Sequence, residues 1–266
     1  MTDAILTKIA DGVLTITFNR PEKKNAITAK MYEKMADALC AAQTDNTIRI
    51  ILFTGHPDVF TAGNDLDDFL KNSIASITPW SNDAGTKNIP VVRFMQALSS
   101  AEKPIIAAVA GNAIGIGTTM LLHCDLVYLA ENAKLSLPFT QLGLCPEFGS
   151  SFLLQRLAGY QRAAEKLMLG EPFGAQEALH MGLANKVLPN HELLTYANAQ
   201  AARLTALPAA SLRATKQLMK EGQAAALNKQ MADEFTQFAA MLSAPEAKEA
   251  FTAFFQKRPP NFEQFS

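Results

Sequence analysis

The stretch Ile105-Ile-Ala-Ala-Val-Ala-Gly-Asn-Ala-Ile-Gly-Ile-Gly-Thr-Thr-Met-Leu-Leu-His123 decides the fold of this chain. Its first five residues are apolar and rich in β-branched side chains, which is typical of a short strand buried on both faces. The glycines Gly111, Gly115 and Gly117 interrupt the apolar run and predict a tight turn. Residues 118–123 then predict the start of a helix. The stretch therefore predicts a strand, turn and helix unit of an α/β protein.

A membrane span is the alternative interpretation of this stretch, because residues 105–122 contain no charged side chain. The glycines break it, however, and His123 and Asp125 follow it at once. The mean hydropathy of the whole chain is +0.04, close to zero. A buried core segment is therefore favoured over a contact with a membrane.

Strand and helix patterns alternate along most of the chain. Strands are predicted at residues 5–9, 13–18, 49–54, 126–129, 134–137 and 186–188, and helices after Thr28 and at 91–98, 150–157, 162–169 and 175–180. Residues 56–67 are interpreted as a long loop, and 71–88 as a segment beside whatever that loop binds. From His191 onward only helix is predicted, with breaks at Pro208, Gly222 and Pro245. The predicted boundary lies near Leu204, between a mixed core at 1–204 and a helical region at 205–266.

Composition indicates a globular protein of the ordinary kind. The chain has 266 residues, of which 48% are hydrophobic and 18% charged, and its formal net charge is -1. Without a basic bias there is no indication of a nucleic-acid partner. The cysteines Cys40, Cys124 and Cys145 are odd in number and form no CxxC pair, so they are interpreted as reduced core thiols. With no secretory signal pattern at the N-terminus, the expected location is cytoplasmic.

One carboxylate stands apart from the others. Between Lys103 and Glu165 the only acidic residues are Asp125, Glu131 and Glu147. Asp125 and Glu131 flank an apolar run and are interpreted as the solvated ends of a strand, whereas Glu147 is surrounded by apolar residues. Burial raises the pKa of a carboxyl group and lets it carry a proton near neutral pH. The alternative is an acid at a helix N-terminus, where the dipole lowers the pKa, so the sign of the shift stays open.

The glycine turn alone has two other interpretations. One is a tight turn in a well-packed core, without a binding role. The other is a dinucleotide-binding loop, but the spacing is GxxxGxG rather than GxGxxG. No acidic residue for a ribose follows about 20 residues later, where the chain has residues 135–137. The dinucleotide interpretation is therefore disfavoured.

Three blocks in register carry a family resemblance. They are Asn19-Arg-Pro-Glu-Lys-Lys-Asn-Ala26, Phe60-Thr-Ala-Gly-Asn-Asp-Leu66, and Ala110-Gly-Asn-Ala-Ile-Gly-Ile-Gly117 followed by His123-Cys-Asp125. Over essentially its whole length the chain resembles the enoyl-CoA hydratase/isomerase family, the crotonase superfamily. The resemblance implies an α/β, crotonase-like spiral of ββα units with two roughly perpendicular sheets. It also implies that the C-terminal helical region assembles a homotrimer or a dimer of trimers.

The resemblance further implies an acyl-CoA thioester as substrate, with coenzyme A as part of that substrate and no separate cofactor or metal. Two backbone N–H groups would bind the thioester oxygen as an oxyanion hole, and by position these belong to Asn64 and Ile116. Many relatives have glycine in place of Ile116. Residues expected to contact the substrate are Lys24, Ala26, Ala62, Asp65, Leu66, Gly115 and Phe139. Lys257 or Arg258 could meet a CoA phosphate, although surface charge is the favoured interpretation of both.

The reaction depends on which carboxylates are present. Hydratases of this family use two glutamates, and the corresponding residues here are Thr119 and Phe139. Neither can act as a general base. Glu147 instead resembles the single glutamate of the Δ3,Δ2-enoyl-CoA isomerases of the peroxisomal type, which predicts single-base proton transfer in β-oxidation. The alternatives are another crotonase-family reaction, such as weak hydration or ring-type CoA isomerisation, and a non-catalytic acyl-CoA-binding protein whose pocket is blocked at Ile116.

Overall fold

A computed structural model describes residues 3–68 and 89–265 of the chain. The segment 71–88, predicted to lie beside the binding loop, falls outside the described residues. The strands are β1 Ile5–Ala10, β2 Val13–Phe18, β3 Ile50–Thr54, β4 Val59–Thr61, β5 Ile105–Val109, β6 Asn112–Ile114, β7 Leu126–Ala130, β8 Lys134–Ser136, β9 Phe173–Gly174 and β10 Lys186–Leu188.

The α-helices of the described ranges follow in chain order. They are α1 Ala29–Thr44, α2 Pro90–Ser99, α3 Ile116–Thr119, α4 Ser150–Ala158, α5 Tyr160–Leu169, α6 Ala175–His180, α7 Asn190–Thr205, α8 Ala209–Leu242 and α9 Pro245–Gln256. A 3-10 turn, Met120–His123, continues α3. As predicted, the side chain of Thr28 caps α1 by accepting a hydrogen bond from the Met31 N–H.

The strands form two sheets, and from β3 to β8 successive strands alternate between them. The larger sheet has the order β1-β2-β3-β5-β7-β10, and the smaller has the order β4-β6-β8-β9. Each of the pairs β3/β4, β5/β6 and β7/β8 places its first strand in the larger sheet and its second in the smaller. Helical residues follow each pair, so the chain winds as a spiral of ββα units. The predicted α/β crotonase-like fold is confirmed.

The larger sheet is covered on both faces, which explains why its central strands are apolar throughout. Every residue of β3 and β5 is buried, and both strands pair in parallel with their neighbours. Ile51 and Phe53 of β3 face the main core, whereas Ile50 and Leu52 pack with residues of α7. Buried parallel strands satisfy their backbone groups within the sheet and need apolar side chains on both faces.

Three strands of the smaller sheet were not predicted, and one of them is β9, which has only two residues. β4 lies inside the 56–67 region interpreted as a long loop, and β6 lies inside the glycine-rich turn. Each has three residues, too few to show a period. The helix after the turn begins at Ile116, two residues before its predicted start at 118. It can do so because Gly115 adopts φ 56° and ψ -119°, a conformation that a side chain would disfavour.

Further expectations are corrected by the structure. α8 runs without interruption through Gly222, since a single glycine costs about 1 kcal/mol and does not end a long helix. Cys40 is exposed and therefore is not a core thiol, whereas Cys124 and Cys145 are half-buried and all three are free. Asp125 binds Lys216 at 2.7 Å instead of being freely solvated. The division of the chain into a core at 1–204 and a helical region at 205–266 stays a prediction.

No helix in the described ranges has the length and apolarity to cross a bilayer.

Candidate active site

The loops after β4 and β6 open onto one pocket of about 560 Å³. It contains the predicted oxyanion-hole residues Asn64 and Ile116 in its wall. All the residues predicted to contact the substrate line it too, namely Lys24, Ala26, Ala62, Asp65, Leu66, Gly115 and Phe139. Residues far apart in the sequence are thus brought to one cavity, whereas Glu147, the predicted catalytic residue, does not line it.

The first loop presents the Asn64 N–H to the pocket. On either side of it, the Ile27 N–H donates to the Gly63 carbonyl at 2.8 Å and the Asp65 N–H donates to the Ile27 carbonyl at 2.9 Å. The Asn64 N–H between them donates to no oxygen of the described residues. The Tyr32 hydroxyl fixes the Asn64 side chain by donating to its Oδ1 at 2.5 Å. An unpaired N–H beside a cavity is available to a ligand oxygen.

The second loop presents the Ile116 N–H, the first of α3. The Gly115 N–H is already used by the Ser136 carbonyl at 3.0 Å. The Ile116 N–H, in contrast, has no acceptor within residues 3–68 and 89–265. A Cβ at Gly117 would lie 2.5 Å from the Cγ2 of Thr61, so the absence of a side chain there lets α3 approach β4. Two amides without an acceptor among the described residues therefore line the same cavity, and the side chain of Ile116 is buried.

Arg20 and Asn25, which sequence reasoning missed, hold the first loop in place. The Arg20 guanidinium donates to the Asp65 carboxylate at 2.7 Å and to the Ala26 carbonyl at 2.9 Å. Although burial acts to raise it, the pKa of Asp65 is lowered overall by hydrogen bonds from Arg20 and the Asp68 N–H. Asn25 is fully buried, and its side-chain amide joins the 19–26 block to β4 by donating to the Val59 and Phe60 carbonyls. The block Asn19-Arg-Pro-Glu-Lys-Lys-Asn25 contains both side chains, but Asp65, Val59 and Phe60, to which they bind, lie 34 to 45 residues further along the chain.

Glu147 is buried, with 7% of its surface exposed. The Thr119 hydroxyl donates to its Oε1 at 2.5 Å. Burial raises the pKa of Glu147 to about 8, against the opposing effect of the Thr119 hydrogen bond and with a further contribution from the charge of Glu234. The sequence left open whether the pKa of Glu147 is raised or lowered. In the structure desolvation is the largest effect, and the pKa is raised. The Glu147 carboxyl lies next to α3, beside the third residue after Ile116.

The helix N-terminus that could have explained Glu147 is occupied by a different acid. The carboxylate of Glu234 accepts hydrogen bonds from the backbone N–H groups of Gly149 and Ser151, at 2.5 and 3.0 Å. Glu147 therefore does not cap α4, and the interpretation of Glu147 as a helix N-terminal acid is wrong. Glu234 was not singled out in the sequence, because it lies in the middle of a helical pattern.

The residue after Glu147 has an unusual backbone. Phe148 adopts φ 60°, in the left-handed region, at a cost of about 1–2 kcal/mol for a residue with a side chain. His123 compensates by donating from Nε2 to the Phe148 carbonyl at 2.8 Å and stacking on its ring at a centroid distance of 3.9 Å. Burial lowers the pKa of His123 to about 3, so the ring is neutral. This contact holds the backbone and the ring of the residue directly after Glu147.

The C-terminal helices also contribute to the pocket, which the sequence did not predict. Phe238 of α8 and Phe251, Phe254 and Phe255 of α9 line it. Lys257 and Arg258, the weaker candidates for binding a CoA phosphate, do not line the cavity. The guanidinium of Arg258 instead donates to the Glu249 carboxylate at 2.6 and 2.9 Å. Within the described ranges no three His, Cys, Asp or Glu side chains gather as a metal site would require.

Known proteins share both this sequence pattern and this fold. The family model described as enoyl-CoA hydratase/isomerase matches residues 8–265. The chain belongs to the enoyl-CoA hydratase/isomerase family. It is 35% identical to enoyl-CoA delta isomerase 2 of Rattus norvegicus, covering 96% of this chain and 64% of the rat protein. It is 33% identical to 2,3-dehydroadipyl-CoA hydratase of Escherichia coli (strain K12), covering 94% of each.

Solved structures of the family superpose closely on this fold. An enoyl-CoA hydratase/isomerase from Pseudoalteromonas atlantica T6c is 39% identical and covers 98% of this chain and 100% of its own, with a TM-score of 0.90. The chain is therefore an acyl-CoA enzyme of the hydratase/isomerase family. Because its relatives include hydratases as well as isomerases at similar identity, the reaction has to be argued from the side chains of the site.

Proposed function

We propose that this enzyme is a Δ3,Δ2-enoyl-CoA isomerase, which moves a double bond from the 3,4 to the 2,3 position of an acyl-CoA thioester. The observation that carries the proposal is the isolated, buried carboxyl of Glu147, whose pKa is raised to about 8. An acid of this kind both takes and returns a proton near neutral pH. The reaction needs one such group and consumes no water.

The proposed chemical steps use the two N–H groups of the pocket and the carboxyl of Glu147. The N–H groups of Asn64 and Ile116 donate to the thioester oxygen and stabilise the negative charge that develops there. Glu147 takes a proton from C2, and the C–H electron pair enters a dienolate that extends over the thioester and the former double bond. The protonated Glu147 then delivers the same proton to C4. One proton leaves and one returns, so nothing is oxidised or reduced.

Hydration is disfavoured by the two residues that stand where family hydratases have glutamates. The Thr119 hydroxyl is already committed to Glu147, and Phe139 offers only an apolar ring to the pocket. A water added across the double bond would need a second carboxylate to orient it. Phe139 and Ile116 instead form dry walls that protect a dienolate from solvent. The Ile116 N–H, which has no acceptor among the described residues, also favours an oxyanion hole over a non-catalytic acyl-CoA-binding protein.

The test is turnover of two substrates by the purified protein. We expect 3-hexenoyl-CoA to be converted into the conjugated 2-enoyl thioester, which is followed by its ultraviolet absorbance, and crotonyl-CoA to be hydrated far more slowly. Glu147→Gln should abolish the isomerisation, and the exposed Glu131→Gln serves as the control that keeps it. Faster turnover of crotonyl-CoA would favour a hydratase, and failure with 3-enoyl-CoA substrates of every chain length would refute the proposal.

A homotrimer or dimer of trimers, a cytoplasmic location and the absence of a separate cofactor stay predictions that accompany this proposal. The 3-enoyl-CoA substrate carries its own coenzyme A, so the chemistry described above requires no further group. Mass measurement of the purified protein in solution tests the assembly.

A further inference from the structure

The long helix α8 carries a buried acid that the reaction itself does not use. Glu234 has 5% of its surface exposed. Its carboxylate accepts three hydrogen bonds, from the Gly149 N–H at 2.5 Å, the Ser151 N–H at 3.0 Å and the Ser151 hydroxyl at 2.5 Å. One turn earlier on α8, Gln230 donates to the same Ser151 hydroxyl oxygen at 3.0 Å. Two residues of α8 therefore bind one short turn.

That turn directly follows Glu147. Gly149 is the N-cap of α4 and has no side chain to satisfy the free amides of the helix. The carboxylate of Glu234 fills this role from another helix, and the helix dipole favours its negative charge. On the other side of Glu147, the Cys145 thiol lies 3.7 Å from the Glu234 backbone carbonyl. Residue 234 thus contacts the chain both before and after Glu147.

The same arrangement decides which of the two acids is charged. Three donors point at Glu234, whereas one donor, the Thr119 hydroxyl, points at Glu147. Hydrogen bonds to a carboxylate stabilise its ionised form. Burial raises the pKa of Glu234, although its three hydrogen bonds act to lower it. The charge of Glu234 in turn raises the pKa of Glu147, so of these two buried acids Glu234 ionises first and Glu147 keeps its proton to a higher pH. No ion pair within the described residues involves Glu234, so its charge is not neutralised by a cation.

The other titratable groups around Glu147 are neutral. Burial raises the pKa of the Tyr32 hydroxyl well above 10 and that of the Cys145 thiol to about 11. Burial also lowers the pKa of His123, which packs on the neighbouring Phe148, to about 3. Among the described residues, Glu234 is therefore the ionised group that acts on Glu147.

We propose that Glu234 is a positioning residue that fixes the Glu147 turn through Gly149 and Ser151 and places an uncompensated negative charge near the Glu147 carboxyl. The C-terminal helix α8, beyond any role in assembly, then becomes part of the proton-transfer machinery. Its charge keeps the proton on Glu147 to a higher pH and makes the ionised form a stronger base. The catalytic consequence rests on the proposed isomerase function, but the effect on Glu147 ionisation does not.

The test compares Glu234→Gln with the wild type in two measurements. Difference infrared spectroscopy, with Glu147→Gln as the reference, follows the Glu147 carboxyl stretch against pH in the absence of substrate. We expect Glu147 to ionise at a pH lower by roughly half a unit or more in Glu234→Gln, because a like charge in a partly polar interior has been removed. In kinetics with 3-hexenoyl-CoA, the acidic limb of kcat/KM should move to lower pH by a similar amount.

The neighbouring Asp233 supplies a matched control, since it is half-exposed and pairs with Lys229 on the outer face of α8. Asp233→Asn should leave both pH profiles unchanged. Ser151→Ala removes one hydrogen-bond donor to Glu234 and keeps the charge of Glu234. We therefore expect kcat to fall about threefold or more, with KM unchanged. The acidic limb of kcat/KM should not move to lower pH. It also tests the positioning role if Glu234→Gln does not fold.

Different results refute different statements. An unchanged infrared titration of Glu147 in Glu234→Gln would overturn the electrostatic role, and full activity of Ser151→Ala would overturn the positioning role. A shifted titration in a protein that converts no 3-enoyl-CoA would support the role of Glu234 and refute the isomerase proposal alone.

Discussion

Replacing Glu147 by glutamine is expected to make the protein more stable while it abolishes activity. Glutamine has nearly the same shape, and its side-chain oxygen can still accept the hydrogen bond from Thr119. What it removes is the need to ionise a buried group. The folded wild type holds the Glu147 proton up to a pH of about 8, whereas the unfolded chain releases it near 4.5. Unfolding therefore releases a proton between these values, and the free energy of unfolding falls as the pH rises.

The size of the effect follows from the two pKa values. The interval from 4.5 to about 8 corresponds to about 5 kcal/mol in full, of which about half arises between pH 5 and pH 7. Below pH 4.5 the wild type and Glu147→Gln should be almost equally stable, because the carboxyl is protonated in both states of the wild type. Above pH 8 the variant should be more stable by the whole amount.

Urea unfolding of both proteins at a series of pH values between 4 and 9 measures this difference. Glu249→Gln is a control of opposite sign, because a bidentate hydrogen bond from Arg258 lowers the pKa of Glu249 to about 2. The stability that this pair contributes is present above pH 4.5 and is lost as the pH falls towards 2. Between pH 5 and pH 8 the free energy of unfolding of Glu249→Gln should therefore change with pH in the same way as that of the wild type. If the curve for Glu147→Gln were parallel too, Glu147 would not be a desolvated acid and the reasoning would be refuted.

One pH profile of the wild type and three further substitutions test other properties of the site. For the wild type, kcat/KM on 3-hexenoyl-CoA should rise with pH up to about 8 and then level off, because Glu147 must be ionised to take a proton; a profile flat from pH 6 would contradict this. Thr119→Val should lower kcat roughly tenfold and move the acidic limb to higher pH, as the hydrogen bond that lowers the pKa of Glu147 is lost. Arg20→Lys should raise KM more than it lowers kcat, since an ammonium cannot hold Asp65 and the Ala26 carbonyl in the fork geometry of a guanidinium; unchanged KM would speak against this role. Thr119→Glu should lower isomerase activity without creating a hydratase, as rates on crotonyl-CoA would show.

The sequence predicted the larger sheet well because most of its strands have five or six residues, enough to show an alternating or a continuously apolar pattern. Residues 105–109 and 186–188 were predicted with the bounds that the structure has. In the smaller sheet β8 was predicted, but β4, β6 and β9 were missed because they have only two or three residues. Such strands are fixed by their pairing with one another, as in the register of Asn112 with Lys134, and not by a pattern of their own. A local window contains no information on such pairing.

The site was predictable where function depends on the backbone and less so where it depends on distant side chains. Asn64 and Ile116 were found through the glycine-rich blocks around them, since a free N–H needs a particular turn. Glu234 could not be found in this way, because it lies 85 residues from the Gly149 N–H to which it binds. A charged residue on a long helix is usually solvated, and only burial distinguishes Glu234 from Asp233. The sign of the Glu147 pKa shift likewise required the three-dimensional surroundings.

Thr119 is more than the mark of a missing hydratase glutamate. Its hydroxyl lies 2.5 Å from the Glu147 carboxylate, so a glutamate at position 119 would place a second carboxyl group against the first. Two carboxylates at that distance cannot both ionise, and the pair would hold a proton between them at neutral pH. Glu147 with its single hydrogen-bond donor and a glutamate at position 119 would therefore occupy the same space, so a chain has one or the other. In this chain the space is occupied by one base, Glu147, and by the Thr119 hydroxyl that orients it. A single base suits a reaction that returns the proton it removes.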